Sequence, residues 1–104
     1  MAKKLEKIKT AKSFWSKGVG VMFWKDFGET KGLLLPNTNA IHTFFVRFPL
    51  DLVFLDENKK IVQLVENLRP WSFSPIVWKA KHTLELPAGS IQKHKLEIND
   101  KIDL

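Results

Sequence analysis

The chain has 104 residues, 44% of them hydrophobic with eight Phe and four Trp, enough for one domain with a real core. It has no cysteine, which excludes disulfides, thiolate chemistry and cysteine-ligated zinc and fits a reducing compartment. The net charge of +6 is uneven, because residues 1–17 hold six lysines against one glutamate and the remainder is nearly neutral.

In chain order, residues 1–10 read as a basic edge strand or a frayed segment. Such a segment can attract phosphates or anionic lipid headgroups, but a solvated lysine face is the plainer reading, so nucleic acid is not the expected partner. The segment lacks the apolar centre of a secretory signal, and no run reaches the roughly 18 apolar residues of a membrane helix. A cytoplasmic location is expected. Ala11, Phe14, Trp15, Gly18, Val19 and Met22 repeat at helical spacing, which predicts a short packing helix weakened by Gly18 and Gly20.

Residues 32–35 form a short apolar run stopped by Pro36, and PNTNA at 36–40 is turn chemistry. Residues 42–46 read as a strand, Pro49 forces a break, and residues 50–55 resume it. DENKK at 56–60 turns the chain into a returning strand over 61–68, which makes a hairpin. Residues 69–76, RPWSFSPI, carry two prolines and read as a loop held down by Trp71 and Phe73. HTLEL at 82–86 alternates as a strand, PAGS turns, residues 91–96 suit a helical turn, and KIDL at 101–104 is a last strand. These strands lie too close together for βαβ crossovers. The expected fold is a single mainly β domain, a small sandwich, jelly roll or barrel-like unit with one or two short helices.

The most informative stretch is residues 41–56, IHTFFVRFPLDLVFLD, an apolar run that carries His42, Arg47 and Asp51. Buried polar groups of this kind cost several kcal/mol unless partnered, so they mark either a site or a structural clamp at the Pro49 bend. Arg47 and Arg69 are the only arginines beside 15 lysines, and each has aromatic neighbours. A guanidinium fork suits carboxylate or phosphate contacts. His42, Arg47, Asp51, Arg69 and Trp71 are therefore the candidate ligand-binding residues, with Phe45 and Phe73 as pocket walls. Strand alternation puts His42 and Arg47 on opposite faces, which limits any one site built from both.

The histidines His42, His82 and His94 lack metal-site spacing, although His42 and His82 could meet across strands with Asp51 or Glu85. No phosphate loop and no nucleophile elbow is present, and no cofactor is expected. The expected function is binding of a small anionic or sugar-like molecule, or of a peptide segment of a partner protein. The alternative is a hydrolase using His42 with Asp51 or Glu85 as acid–base groups. A further alternative is weak nucleic-acid or membrane-surface association through the basic N-terminus. The oligomeric state is left open.

Five segments occur together and in order: GVMFW at 20–24, GLLLP at 32–36, the run at 39–56, LRPW at 68–71 and LELPAG at 84–89. Over residues 11–104 the chain thereby resembles the domain-of-unknown-function family number 192. The resemblance implies a compact, mainly β domain close to a sandwich or jelly roll, found in bacteria and archaea, and it implies no established reaction. The chain departs from the family pattern at Val46, often methionine, and at Ser72, often arginine. It also has Asn99–Asp100 where a Gly–Asp pair is common. A site that needs a cation at position 72 would be incomplete in this chain.

Overall fold

The structure is a computed structural model, and it describes residues 2–11, 20–22 and 24–104. The helix expected around residues 11–22 falls largely outside the described residues. The described elements are β1 (Ala2–Lys4), β2 (Ile8–Thr10), β3 (Gly32–Leu35), β4 (Leu50–Leu55), β5 (Ile61–Leu68), β6 (His82–Pro87), the four-residue helix α1 (Ser90–Lys93) and β7 (Lys101–Asp103). The protein is mainly β, as the turn-rich sequence predicts. Among the described residues the strands form two sheets and no closed barrel. One is a five-stranded sheet in the order β2-β3-β6-β4-β5, and the other pairs β1 with β7.

The hairpin β4–β5 forms where the sequence places it. The Asp56 side chain makes the turn, because its Oδ1 accepts the N–H groups of Asn58 at 2.8 Å and Lys60 at 2.9 Å. That is an Asx turn, which explains why DENKK reverses the chain. Pro49 stands just before β4, where a missing N–H removes no ladder bond.

Two expectations are corrected. β2 runs parallel to β3, and β1 runs parallel to β7. Parallel pairing needs a long return, and residues 11–31 supply it between β2 and β3, so the exclusion of crossovers was too strict. Residues 42–46 do not form a strand. Only His42 makes a bridge, to Phe73, and the chain turns at Phe44 and Phe45, with Phe45 at φ 64°.

Apolar side chains cover both faces of the five-stranded sheet. Val53, Leu55, Leu84 and Leu86 face a cluster completed by Leu5, Ile91, Leu96 and Ile102. Leu33, Leu35, Leu50, Leu52 and Phe54 face a second cluster with Ala11, Val21 and Val46. The split of β4 into Leu52 and Phe54 against Val53 and Leu55 follows the period of two read from the sequence.

Candidate functional site

The loops 41–47 and 69–74 are sewn together by one buried residue, Thr43. Its hydroxyl donates to the Arg69 carbonyl at 2.6 Å and accepts the Ser72 N–H at 2.7 Å. Its backbone N–H donates to Ser72 O at 2.7 Å, and its carbonyl accepts the Trp71 N–H at 2.8 Å. Ser74 closes the other end, with its N–H donating to Ile41 O at 2.8 Å and its Oγ accepting the Ile41 N–H at 2.9 Å. Buried backbone groups in irregular loops need such partners, and here each loop supplies the other's.

The aromatic side chains of these loops stay on the surface. Phe45 is 47% exposed, Trp71 60% and Phe73 72%. The expectation that Trp71 and Phe73 anchor the loop is thus corrected, because Thr43 and Ser74 do the anchoring and the rings are displayed. Trp71 stacks on Phe44 at 5.6 Å and meets Phe45 at 4.6 Å, and Phe73 meets Phe44 edge-on at 4.9 Å. Phe45 and Trp71 both hold positive φ, at 64° and 60°. For bulky residues that conformation costs roughly 1–2 kcal/mol each, and it survives only where the surroundings enforce it.

His42, Arg47, Arg69 and Trp71 all belong to this two-loop region. The His42 ring lies 5.0 Å from that of Phe44, and its Nδ1 accepts the Phe44 N–H at 3.1 Å. Arg47 lines a shallow hollow of about 520 Å³ with Phe45, Val46, Pro70 and Trp71. The turn at residues 44–45 breaks the strand alternation on which the separation of His42 from Arg47 rested: His42 packs on Phe44, whose ring stacks on Trp71, while Arg47 lines the hollow with Trp71 itself. No acidic side chain lines the hollow. Arg47 and Arg69 make no ion pair among the described residues.

Asp51 is elsewhere. It is buried on β4, where Oδ1 accepts the Asn67 N–H at 2.9 Å. Its Oδ2 accepts the N–H groups of Gly89 at 3.1 Å and Ile91 at 2.9 Å. Its lone pairs are spent on the end of β5 and the start of α1. It clamps those segments, not the Pro49 bend, and it does not pair with either arginine. Another hollow of about 540 Å³ opens beside Pro49, lined by Phe27, Phe48 and Pro87 with Lys25 and Asp26 at its rim, and it contains none of the five candidate residues.

Glu85 is the second buried carboxyl. It lies on the central strand β6, opposite Leu33 and Leu52, and is only 3% exposed. Among the described residues its Oε1 meets no hydrogen-bond donor. Burial pushes the carboxyl up from 4.5 to about 8. Backbone covers it, since a Cβ placed on Gly20 would lie 3.2 Å from Oε1, and Gly20 has φ +54°. GVMFW and LELPAG, two segments that carry the family resemblance, therefore meet at this carboxyl. His82 accepts the Asn37 N–H at its Nδ1, and its pKa is lowered by burial and then by Lys81 and Lys59. No group of three His, Asp or Glu side chains converges among the described residues.

The sequence reading missed Thr43 altogether. A threonine inside an apolar run carries no signal, because its role depends on which loop lies opposite. It named Glu85 only as an acid–base group or a third metal ligand, each as an alternative to Asp51. The alternation Leu84–Glu85–Leu86 shows that Glu85 opposes the leucines, but not that its face is covered too.

The family described as Uncharacterized ACR, DUF192, matches residues 2–104. A UPF0127 protein of Thermococcus sibiricus is 32% identical over 101 residues, and the match covers 93% of this chain and 65% of that protein. A UPF0127 protein of Pyrococcus abyssi is 34% identical over 101 residues, covering 93% of this chain and 85% of the relative. The chain thus spans just under two thirds of the first relative's length. A crystal structure of a Novosphingobium aromaticivorans protein of unknown function superposes with a TM-score of 0.80 at 19% identity, over 90% of this chain and 71% of that one. A crystal structure from Sinorhizobium meliloti superposes with a TM-score of 0.77 at 20% identity, over 88% and 76%. At these identities the likeness is one of fold.

Proposed function

We propose, for a chain that belongs to the uncharacterised DUF192 family, that it is a binding module whose ligand face is the two-loop surface around Trp71. The observation that carries this reading is the combination of displayed rings and pinned backbone. Phe45 and Trp71 keep an unfavourable φ, and Thr43 and Ser74 spend their hydrogen bonds on fixing the loops. A loop that only covered a core would turn such rings inward. Rigid aromatic faces cost little further entropy when a ligand stacks on them.

The chemistry of the face suits a ligand with a flat apolar side next to an anionic group. The rings accept the flat side, and Arg47 and Arg69 offer donors for the anion. An acidic sugar is the simplest such ligand, and an acidic peptide is the next. The acid–base alternative has less support. Asp51 is saturated, His42 has an occupied Nδ1, and Glu85 remains without either as a partner.

The test is an NMR titration of the protein with an oligouronate, its neutral counterpart and an acidic peptide. The Trp71 indole and the amides of residues 42–47 and 69–73 are expected to shift with the oligouronate. Trp71→Ala and Arg47→Ala are each expected to weaken binding by about tenfold or more with little change in thermal midpoint. Silence of this face across all three probes would end the proposal.

A further inference from the structure

On the far side of β6 from Glu85, a separate cavity of about 370 Å³ lies beneath the segment that joins β1 to β2. Its charged wall comes from three parts of the chain: Lys4 at the end of β1 with Lys7 of the joining segment, Lys31 just before β3, and Lys93 with His94 at the end of α1. Glu6 is the one acidic residue in the lining. None of the four lysines is ion-paired among the described residues. Four ammonium groups around one hollow repel each other, the single Glu6 carboxylate offsets only part of that excess charge, and an anion brought from outside would relieve the rest.

The floor is apolar. Leu5, Ile8 and Leu86 line it, and Leu86 continues into the core cluster below. Gly32 sets how close the floor packs. A Cβ there would come within 2.5 Å of Leu86 Cδ2 and 2.9 Å of Ile8 Cδ1, so a larger residue would push both side chains apart. The wall is held in register by backbone bonds. The Leu5 N–H donates to Asp103 O at 3.0 Å, and the Lys31 N–H donates to Lys7 O at 2.9 Å. Lys7 itself holds φ 58°, a left-handed conformation that turns the segment over the cavity.

We infer that this cavity is a second binding site, built for a small organic anion that carries an apolar body next to a carboxylate or phosphate. The apolar body rests on Ile8 and Leu86, and the anionic group meets the lysines of three chain segments. The size is within the range of small-molecule pockets, roughly 300–1,000 Å³, and a bare inorganic ion would leave the floor uncovered. This site shares no residue with the Trp71 face and stands independently of the function proposed for it. It also gives the basic N-terminal segment a defined role, in place of a diffuse attraction to polyanions.

The experiment is an amide and methyl NMR titration with four probes: hexyl phosphate, hexanoate, inorganic phosphate and hexanol. Hexyl phosphate or hexanoate is expected to shift residues 4–8, 31, 86 and 93–94, and which of the two binds more tightly identifies the head group. Inorganic phosphate and hexanol are each expected to bind at least about tenfold more weakly than the better of those two. The double variant Lys7→Glu/Lys31→Glu, both exposed positions, is expected to lose at least about tenfold in affinity with an unchanged thermal midpoint. Trp71→Ala is expected to leave this binding intact. Inorganic phosphate binding as tightly as hexyl phosphate, hexanol binding as tightly as hexanoate, or a charge-reversed variant binding like the wild type would each overturn the inference. So would the absence of shifts at these residues with every probe.

Discussion

Asp51 and Glu85 are two buried carboxyls on neighbouring strands, and they live under opposite conditions. The register pairs Asp51 with Leu86 and Leu52 with Glu85, so the two groups point to opposite faces of the same sheet. Below one face, the turn into α1 and the end of β5 aim three N–H groups at Asp51. Below the other, the backbone at Gly20 approaches Glu85 without a donor for Oε1 among the described residues. Burial alone does not decide what a carboxyl is for. The orientation of nearby backbone dipoles decides whether it is a structural clamp or a group held ready to titrate.

The largest effect is expected from breaking the satisfied side. Asp51→Ala leaves three backbone donors without their acceptor, which is expected to cost about 4 kcal/mol in urea unfolding. Asp51→Asn keeps one acceptor and is expected to cost less. A loss under about 1 kcal/mol for the alanine variant would mean that the clamp is dispensable and the contrast with Glu85 is false.

Glu85 is expected to reveal itself through pH. Its folded pKa of about 8 lies above the unfolded value of 4.5, so the folded state holds the proton more tightly. Its contribution to stability is full below pH 4.5, declines as pH rises toward 8 and is lost above that. The decline is expected to total about 5 kcal/mol in denaturant titrations, and Glu85→Gln is expected to remove it. Parallel pH profiles for the wild type and Glu85→Gln would show that the carboxyl is already satisfied.

Gly20→Ala sharpens the same point with a smaller effect. The positive φ alone predicts a loss of about 1–2 kcal/mol, and the 3.2 Å approach to Oε1 adds to it. In a Glu85→Ala background the approach disappears and only the φ penalty remains. A double-mutant cycle that shows no coupling between the two positions would remove Gly20 from the environment of Glu85.

Much of the fold could be read before any coordinates. The 50–55/61–68 hairpin follows from alternation on both sides of an Asx-turn sequence, and the loop at 69–76 follows from its prolines. The strand at His82 and the final strand likewise lie where turn residues bracket alternating ones. The failures share one cause. Residues 42–46 have strand composition, yet their backbone partners come from an irregular loop, and Phe45 turns where a strand would continue. The parallel pairs β1–β7 and β2–β3 join segments far apart in the chain, and no local pattern specifies that.

The candidate site divides the same way. The sequence picked out His42, Arg47, Arg69 and Trp71 because arginines and prolines near aromatics are conspicuous in this composition, and all four belong to one two-loop region. It grouped Asp51 with them because the two strand segments are adjacent in sequence. The side chain instead spends its acceptors on Asn67, Gly89 and Ile91, segments that only the folded sheet brings to it.

By itself, then, the sequence determined the mainly β class, the face each β4 side chain takes and the family to which the chain belongs. The class and the faces rest on local periodicity and turn chemistry, which the chain carries wherever it folds, and the family rests on the five ordered segments between residues 20 and 89. Only the tertiary structure decided that Thr43 sews two loops together, that Asp51 is satisfied while Glu85 Oε1 meets no donor among the described residues, and that lysines from three segments surround one cavity. Each of these depends on which distant backbone groups and charges come within a few ångströms, and strand order sets that, not sequence neighbourhood.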